Sequence, residues 1–142
     1  YLVRHAEKAS GQDPGLTPEG RERAQRLARV LEHTELAAVF ASKKRRTIET
    51  ALPTAQDHDL KVTVLDQENQ NDLEVLIETL NSLPPGSEAL VVGHSYTLDD
   101  IMKGLGVEDP PRIFRSIYDY FFVLLLPGNN SSSPVLLRLH YP

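Results

Sequence analysis

Hydrophobic positions change their period along this chain, and the changes divide it into strands and helices. Leu2 and Val3 form a short apolar run that ends in Arg4, which predicts a strand over residues 2–4. A loop broken by Gly11, Asp13, Pro14 and Gly15 follows. Thr17-Pro18-Glu19 then predicts a helix start: Thr caps, Pro takes the first helical position, and the acid faces the positive end of the dipole. Ala24, Leu27, Ala28 and Leu31 recur at helical spacing and carry this helix to about His33. Residues 37–41 read as a second strand. Ser42 is expected to cap a second helix through Arg45, Ile48, Ala51 and Leu52, with Pro53 kinking it or ending its first part. Residues 62–65 make a third strand.

The second half repeats the scheme. Asp72 is the expected cap of a helix that buries Leu73, Leu76, Ile77 and Leu80 and is closed by Pro84-Pro85-Gly86. Residues 89–93 form a fourth strand, and Ser95 or Thr97 begins a helix ending near Gly104. After a loop at 108–112, two strands at about 120–126 and 135–140 flank the turn-forming run 127–134, which predicts an antiparallel hairpin. Strands alternating with helices imply one α/β domain over residues 1–142. The expected fold is a three-layer α/β/α sandwich whose mainly parallel sheet carries an antiparallel edge hairpin.

Composition narrows the class further. At 142 residues the chain can bury roughly two-thirds of the surface its unfolded form exposes, so it needs no disulfide or metal staple. It has no cysteine, which excludes thiol catalysis, cysteine-ligated metals and disulfides. A net charge of -5 argues against a general nucleic-acid binder. The longest apolar run, residues 120–126, falls well short of the ~20 residues of a membrane span. The chain begins at Tyr1 without an initiator Met, so an upstream segment, a signal peptide among the options, has been removed or lies outside it. The compartment is open, with the cytoplasm ranked ahead of a periplasm reached through a removed signal. Oligomeric state is not legible.

Four side chains that could do chemistry stand at predicted element ends: Arg4, His5, Arg46 and His94. Strands of an open α/β sheet deliver their last residues to the carboxyl edge, where such sheets bind ligands. Phosphate suits this set, because planar guanidinium groups match its oxygens with paired hydrogen bonds worth roughly 1.5–3 kcal/mol each. Arg4, Arg46 and a protonated His94 could hold a phosphoryl group without a metal, helped by the backbone N–H groups at the helix start after His94. Neutral His5 could then attack phosphorus and form a phosphohistidine. Nearby arginines lower its pKa below ~6.5 and stabilise the transferring oxygens.

At these residues the chain resembles a known family. Leu2-Val-Arg4-His5-Ala-Glu-Lys, Leu16-Thr-Pro-Glu-Gly-Arg21, Ala41-Ser-Lys-Lys-Arg-Arg46-Thr-Ile-Glu-Thr-Ala51 and Leu90-Val-Val-Gly-His94-Ser, in this order, are similar to the motifs of the histidine phosphatase superfamily. The resemblance runs from Tyr1 to about Leu105 and implies the phosphoglycerate-mutase-like fold. It implies that His5 is the phosphorylated nucleophile and that Arg4, Arg46 and His94 complete the phosphate pocket, with no cofactor. The short length resembles the small bacterial branch that contains phosphohistidine phosphatases, so a phosphorylated small molecule or a phosphohistidine protein is the implied partner. Many members take a general acid, usually Glu, from the region after the third strand. Here Asp66 and Glu68 are the candidates, and neither sits in the longer motif that marks the acid. Without a positioned acid, phosphoramidates or activated aryl esters are the expected substrates.

Other residues have plainer readings. His33, His58 and His140 are expected on the surface, and Lys43, Lys44 and Arg45 read as a solvated helix start. Glu7 and Lys8 read as an ion pair supporting the loop, and Tyr96, Tyr118 and Tyr120 as packing residues. A metal site on His5, His94 and an acid lacks any short-range ligand spacing. Specificity is expected from the loops 9–15, 66–72 and 106–115. The expected function is therefore a metal-independent phosphatase. A phosphoglycerate-type mutase, for which the chain is short, and a non-catalytic module binding phosphorylated ligands are the alternatives.

Overall fold

The computed structural model describes residues 1–128 and 133–142. The chain forms β1 (Leu2–Arg4), α1 (Pro18–Leu31), β2 (Leu36–Ala41), α2 (Arg45–Asp57), β3 (Val62–Val64), α3 (Gln70–Asn81), β4 (Glu88–Gly93), α4 (Thr97–Gly104), β5 (Tyr120–Leu125) and β6 (Val135–His140). The strands make one sheet in the order β3-β2-β4-β1-β5-β6. The first four in that order are parallel, and β5 and β6 continue the sheet antiparallel beyond β1. This is the expected α/β architecture. No helix among the described residues is long and apolar enough to cross a membrane.

Strand alternation assigns side chains to the two faces. Val3, Val39, Leu90, Val92 and Phe121 meet Leu27 and Leu31 of α1 and Ala51 and Ala55 of α2. Leu2, Phe40, Val91 and Phe122, their neighbours along the strands, meet Leu73 and Leu76 of α3 and Leu98 and Ile101 of α4. Each large side chain buried this way contributes roughly 1.5–3 kcal/mol. Both faces are therefore covered, which is what a parallel sheet requires.

Several element ends depart from the sequence reading. The first helix stops at Leu31, with Glu32 as its C-cap, short of His33. Helix α2 begins with Lys44 in the cap position, so Ser42 is not its cap, and it runs through Pro53 to Asp57. Buried Ala51, Thr54 and Ala55 flank the proline, and their packing holds the helix across the missing N–H. Asn69, not Asp72, caps α3 by accepting from the N–H groups of Asn71 and Asp72. The Asp72 carboxylate instead accepts from the Asp66 N–H at 2.8 Å. The hairpin pairs Tyr120 with His140 through Leu125 with Val135. The turn expected at 127–134 falls partly outside the described residues.

The loop after β1 is pinned from two sides. Thr17 N–H donates to the Glu7 carbonyl at 2.9 Å, and a Cβ on Gly20 would lie 2.1 Å from that same oxygen, so only glycine lets α1 sit directly on the loop. Arg23 clasps the Glu7 carboxylate with contacts of 2.8, 2.9 and 3.0 Å. The ion pair expected of Glu7 is thus made with Arg23, while Lys8 is exposed.

Candidate active site

Two parallel strand ends bring the histidines together. β1 and β4 are in register with Arg4 opposite Gly93, and His5 N–H donates to the Gly93 carbonyl at 2.9 Å. The next side chains are His5 and His94, whose ring centroids lie 5.4 Å apart at 61°. Both rings are almost wholly buried, at 3% and 2% exposure. Arg46, in the first turn of α2, reaches them with Nη2 3.4 Å from His94 Nδ1. Arg4 lies 4.1 Å from the centroid of the Tyr118 ring, which itself packs 6.0 Å from the His5 ring. The four residues singled out from the sequence share one location. A larger cleft, about 880 Å³ between α1 and α2, is lined by none of them.

The backbone fixes the state of His5. Its Nδ1 lies 2.8 Å from the Ala6 carbonyl, which only accepts, so Nδ1 carries the proton and Nε2 keeps its lone pair. Burial pushes the His5 pKa down to about 3; the Ala6 bond opposes this, and Arg4, His94 and Arg46 add to it. The ring is a neutral base at physiological pH, with burial rather than the arginines as the main cause.

His94 is held by a chain of hydroxyls. Arg46 Nη2 donates to its Nδ1, so its Nε2–H donates to Ser42 Oγ at 2.9 Å. Ser42 then donates to Thr47 Oγ1 at 2.8 Å, and Thr47 donates to the Lys44 carbonyl at 2.6 Å. Burial first, and Arg46 second, lower the His94 pKa to about 4. The sequence reading has this ring as an imidazolium; the structure holds it neutral, because burial and the Arg46 guanidinium outweigh the opposing pull of the Glu68 carboxylate.

Charge at the site is positive and incompletely matched. Arg46 Nε is buried and has no hydrogen-bond partner among the described residues, where the nearest acid to its guanidinium is Asp13, at 4.0 Å from Nη1. Arg4 Nη1 donates to the carbonyls of Arg115 at 2.5 Å and Ile117 at 3.2 Å, with Phe114 at 3.4 Å. An unpaired buried donor on a cation is costly, and an anion would relieve it.

Neither acid candidate is placed to give a proton. Glu68 accepts a short hydrogen bond from the Tyr96 hydroxyl, which holds its pKa below the usual carboxylate range. Asp66 is bonded to Lys43 at 2.5 Å, which does the same. Tyr96 in turn stacks on His94, with ring planes 10° apart and centroids at 5.4 Å. Behind His94, its N–H donates to Thr97 Oγ1 at 2.9 Å, Thr97 donates to Gln67 Oε1 at 2.9 Å, and Gln67 Nε2 donates to the Val92 carbonyl at 3.0 Å.

The model of the histidine phosphatase superfamily (branch 1) matches residues 1–69. That match spans just under half of the chain. Among solved structures, a mycobacterial glucosyl-3-phosphoglycerate phosphatase matches with TM-score 0.63 and 17% identity, over 77% of this chain and 79% of that one. A protein assigned as the phosphohistidine phosphatase SixA of Agrobacterium tumefaciens matches with TM-score 0.58 and 18% identity, over 73% of each chain. A phosphoserine phosphatase from Entamoeba histolytica matches with TM-score 0.62 and 16% identity, over 95% of this chain and 92% of that one. At these identities the likeness is one of fold. No curated protein sequence matches the chain.

The superfamily match contains Arg4, His5 and Arg46 but ends before His94, which joins them only through the sheet. Sequence reasoning missed four contributors to this site. Ser42 looks like a helix cap yet bonds His94, and Thr47 stands in the motif around Arg46 without a role read from it. Tyr96 and Tyr118 read as packing residues but press on His94 and His5. Tyr96 was findable, standing two residues after His94; Tyr118 was not. Tyr120 does pack, at 7% exposure against Phe122. His33 and His140 are exposed as expected, and His58 is half-buried with Nε2 3.0 Å from the Leu31 carbonyl.

Proposed function

We propose that this protein is a histidine phosphatase that hydrolyses phosphomonoesters or phosphoramidates through a phosphohistidine on His5. The observation that carries the reading is a buried imidazole with a free Nε2 lone pair beside a buried guanidinium whose Nε lacks a partner. Arg46 and Arg4 hold the phosphoryl oxygens, Arg4 exchanging backbone carbonyls for them. His94 steadies Arg46, and a bound dianion draws its pKa upward. His5 Nε2 forms the N–P bond as the bond from phosphorus to the leaving group breaks, and that group departs with the electron pair. Water then attacks phosphorus, the N–P bond breaks back onto Nε2, and inorganic phosphate leaves while the water proton passes to solvent.

An ionised Glu68 cannot protonate a departing alkoxide, which favours leaving groups that depart unaided. p-Nitrophenyl phosphate should therefore be hydrolysed in chelator, His5→Ala should reduce the rate to background, and quenching without acid should trap a mass shift on the peptide carrying His5. Turnover that survives His5→Ala refutes the covalent mechanism. Phosphate binding with no turnover would instead fit the non-catalytic module.

A further inference from the structure

A cleft of about 590 Å³ adjoins the four-residue site. It is joined to it at two points. Tyr96, on one wall, stacks on His94, and Phe114 and Arg115, on the other, lend their carbonyls to Arg4. Both aromatic walls are exposed in a way packing does not explain: Tyr96 at 46% and Phe114 at 45%. One face of Tyr96 is taken by His94 and its hydroxyl by Glu68, which leaves the ring steadied. The Arg112 guanidinium lies 5.0 Å from the Phe114 centroid and steadies that ring too. On the α4 side the lining holds Asp99, already bonded to Lys103 at 2.6 Å, and Asp100.

We propose that this cleft is the leaving-group subsite and that it selects a flat aromatic or heteroaromatic ring, seated between Tyr96 and Phe114, as the group carrying the phosphoryl. The inference rests on the phosphatase reading and names its substrate class. Two held aromatic rings beside the phosphoryl position offer stacking and edge contacts to a planar ring. They offer little to the hydroxyls of a sugar or glycerol. The ionised Glu68 points the same way for an independent reason. An aryl oxygen leaves as the stabilised aryloxide, and an imidazole nitrogen leaves as neutral imidazole once its distal ring nitrogen has taken a proton from solvent, whereas an alkoxide needs a proton from an acid in the site.

Phosphonates test the subsite without requiring turnover. Calorimetric titration of benzylphosphonate and cyclohexylmethylphosphonate compares a planar with a saturated ring of like size and charge. The wild type should bind the benzyl compound about fivefold more tightly, the fold-change matching one aromatic contact. Phe114→Leu and Tyr96→Leu should each bring the ratio close to one, and Phe114→Trp should keep it. Because the ratio is read within each variant, a general loss of fold or of phosphoryl affinity cancels. A wild-type ratio near one, a ratio preserved in both leucine variants, or no binding of benzylphosphonate at all overturns the proposal. An imidazolylmethylphosphonate arm separates the sources: tighter binding than benzyl assigns the ring to phosphohistidine, weaker binding to a small aryl phosphate, and both uphold a planar leaving group. Ring preference without hydrolysis of p-nitrophenyl phosphate would defeat the phosphatase reading and leave the subsite standing.

Discussion

His5 owes its neutrality mainly to burial, so its titration reports directly on how closed the site is. Nitrogen-detected NMR should show Nδ1 protonated and a midpoint near 3, and a midpoint above 6 would mean that water reaches the ring. Arg46→Ala removes the one guanidinium that, among the described residues, has an orphaned buried nitrogen. Losing one charge-assisted hydrogen bond costs about 1.5–3 kcal/mol, which calorimetry should read as roughly 10–100-fold weaker binding of inorganic phosphate. Glu68→Gln should leave hydrolysis of p-nitrophenyl phosphate within about twofold, since an ionised carboxylate donates no proton. A collapse of that rate would restore Glu68 as the acid. At this scale Arg4 and His5 were legible because they are consecutive, and Arg46 because it stands in a motif. Tyr118 was not, because its place against Arg4 depends on how a distant loop crosses the sheet edge.

The elements hold His94 more tightly than its own contacts suggest. A Cβ at Gly93 would lie 2.7 Å from Gln67 Oε1 and 3.0 Å from Thr97 Oγ1. Gly93→Ala must therefore push Gln67 from the Val92 carbonyl and loosen Thr97 from the His94 N–H. Overpacking of this kind costs about 1–3 kcal/mol, which urea denaturation would measure; a variant as stable as wild type would show that Gln67 yields freely. Helix α1 was legible from its Thr-Pro start, and the cap bond from Gly20 N–H to Thr17 Oγ1 at 3.1 Å is there. Helix α2 was legible except at its ends. Ser42 has capping chemistry, but His94 and Thr47 claim its hydroxyl, and packing carries the helix past Pro53.

For the whole molecule, two buried neutral histidines make stability depend on pH. Their folded pKa values, about 3 and about 4, lie below the unfolded value near 6.5, so the unfolded chain binds more protons across that interval. Stability should fall as pH drops from 6.5 toward 4, by up to about 1.4 kcal/mol per pH unit for each ring. Glu7 adds a later loss. Burial raises its pKa, but the bonds from Arg23 outweigh that and lower it below the ordinary 4.5. Its contribution is present above 4.5 and disappears as pH falls through the folded value. Urea titrations from pH 7.5 to 5 should show this slope, shallower in His5→Asn, and equal slopes in the two proteins would remove His5 from the account. Sequence alone determined the alternation of strands and helices and the order in which Arg4, His5, Arg46 and His94 arrive at element ends. Those features are written within a few neighbouring residues, in period, caps and breakers. Tertiary structure alone decided that β4 lies beside β1 with Gly93 opposite Arg4, that both histidines are stripped of water and neutral, and that Tyr96 and Phe114 wall a cleft beside them. Strand order and burial arise from contacts between residues far apart in the chain, and no local pattern contains them.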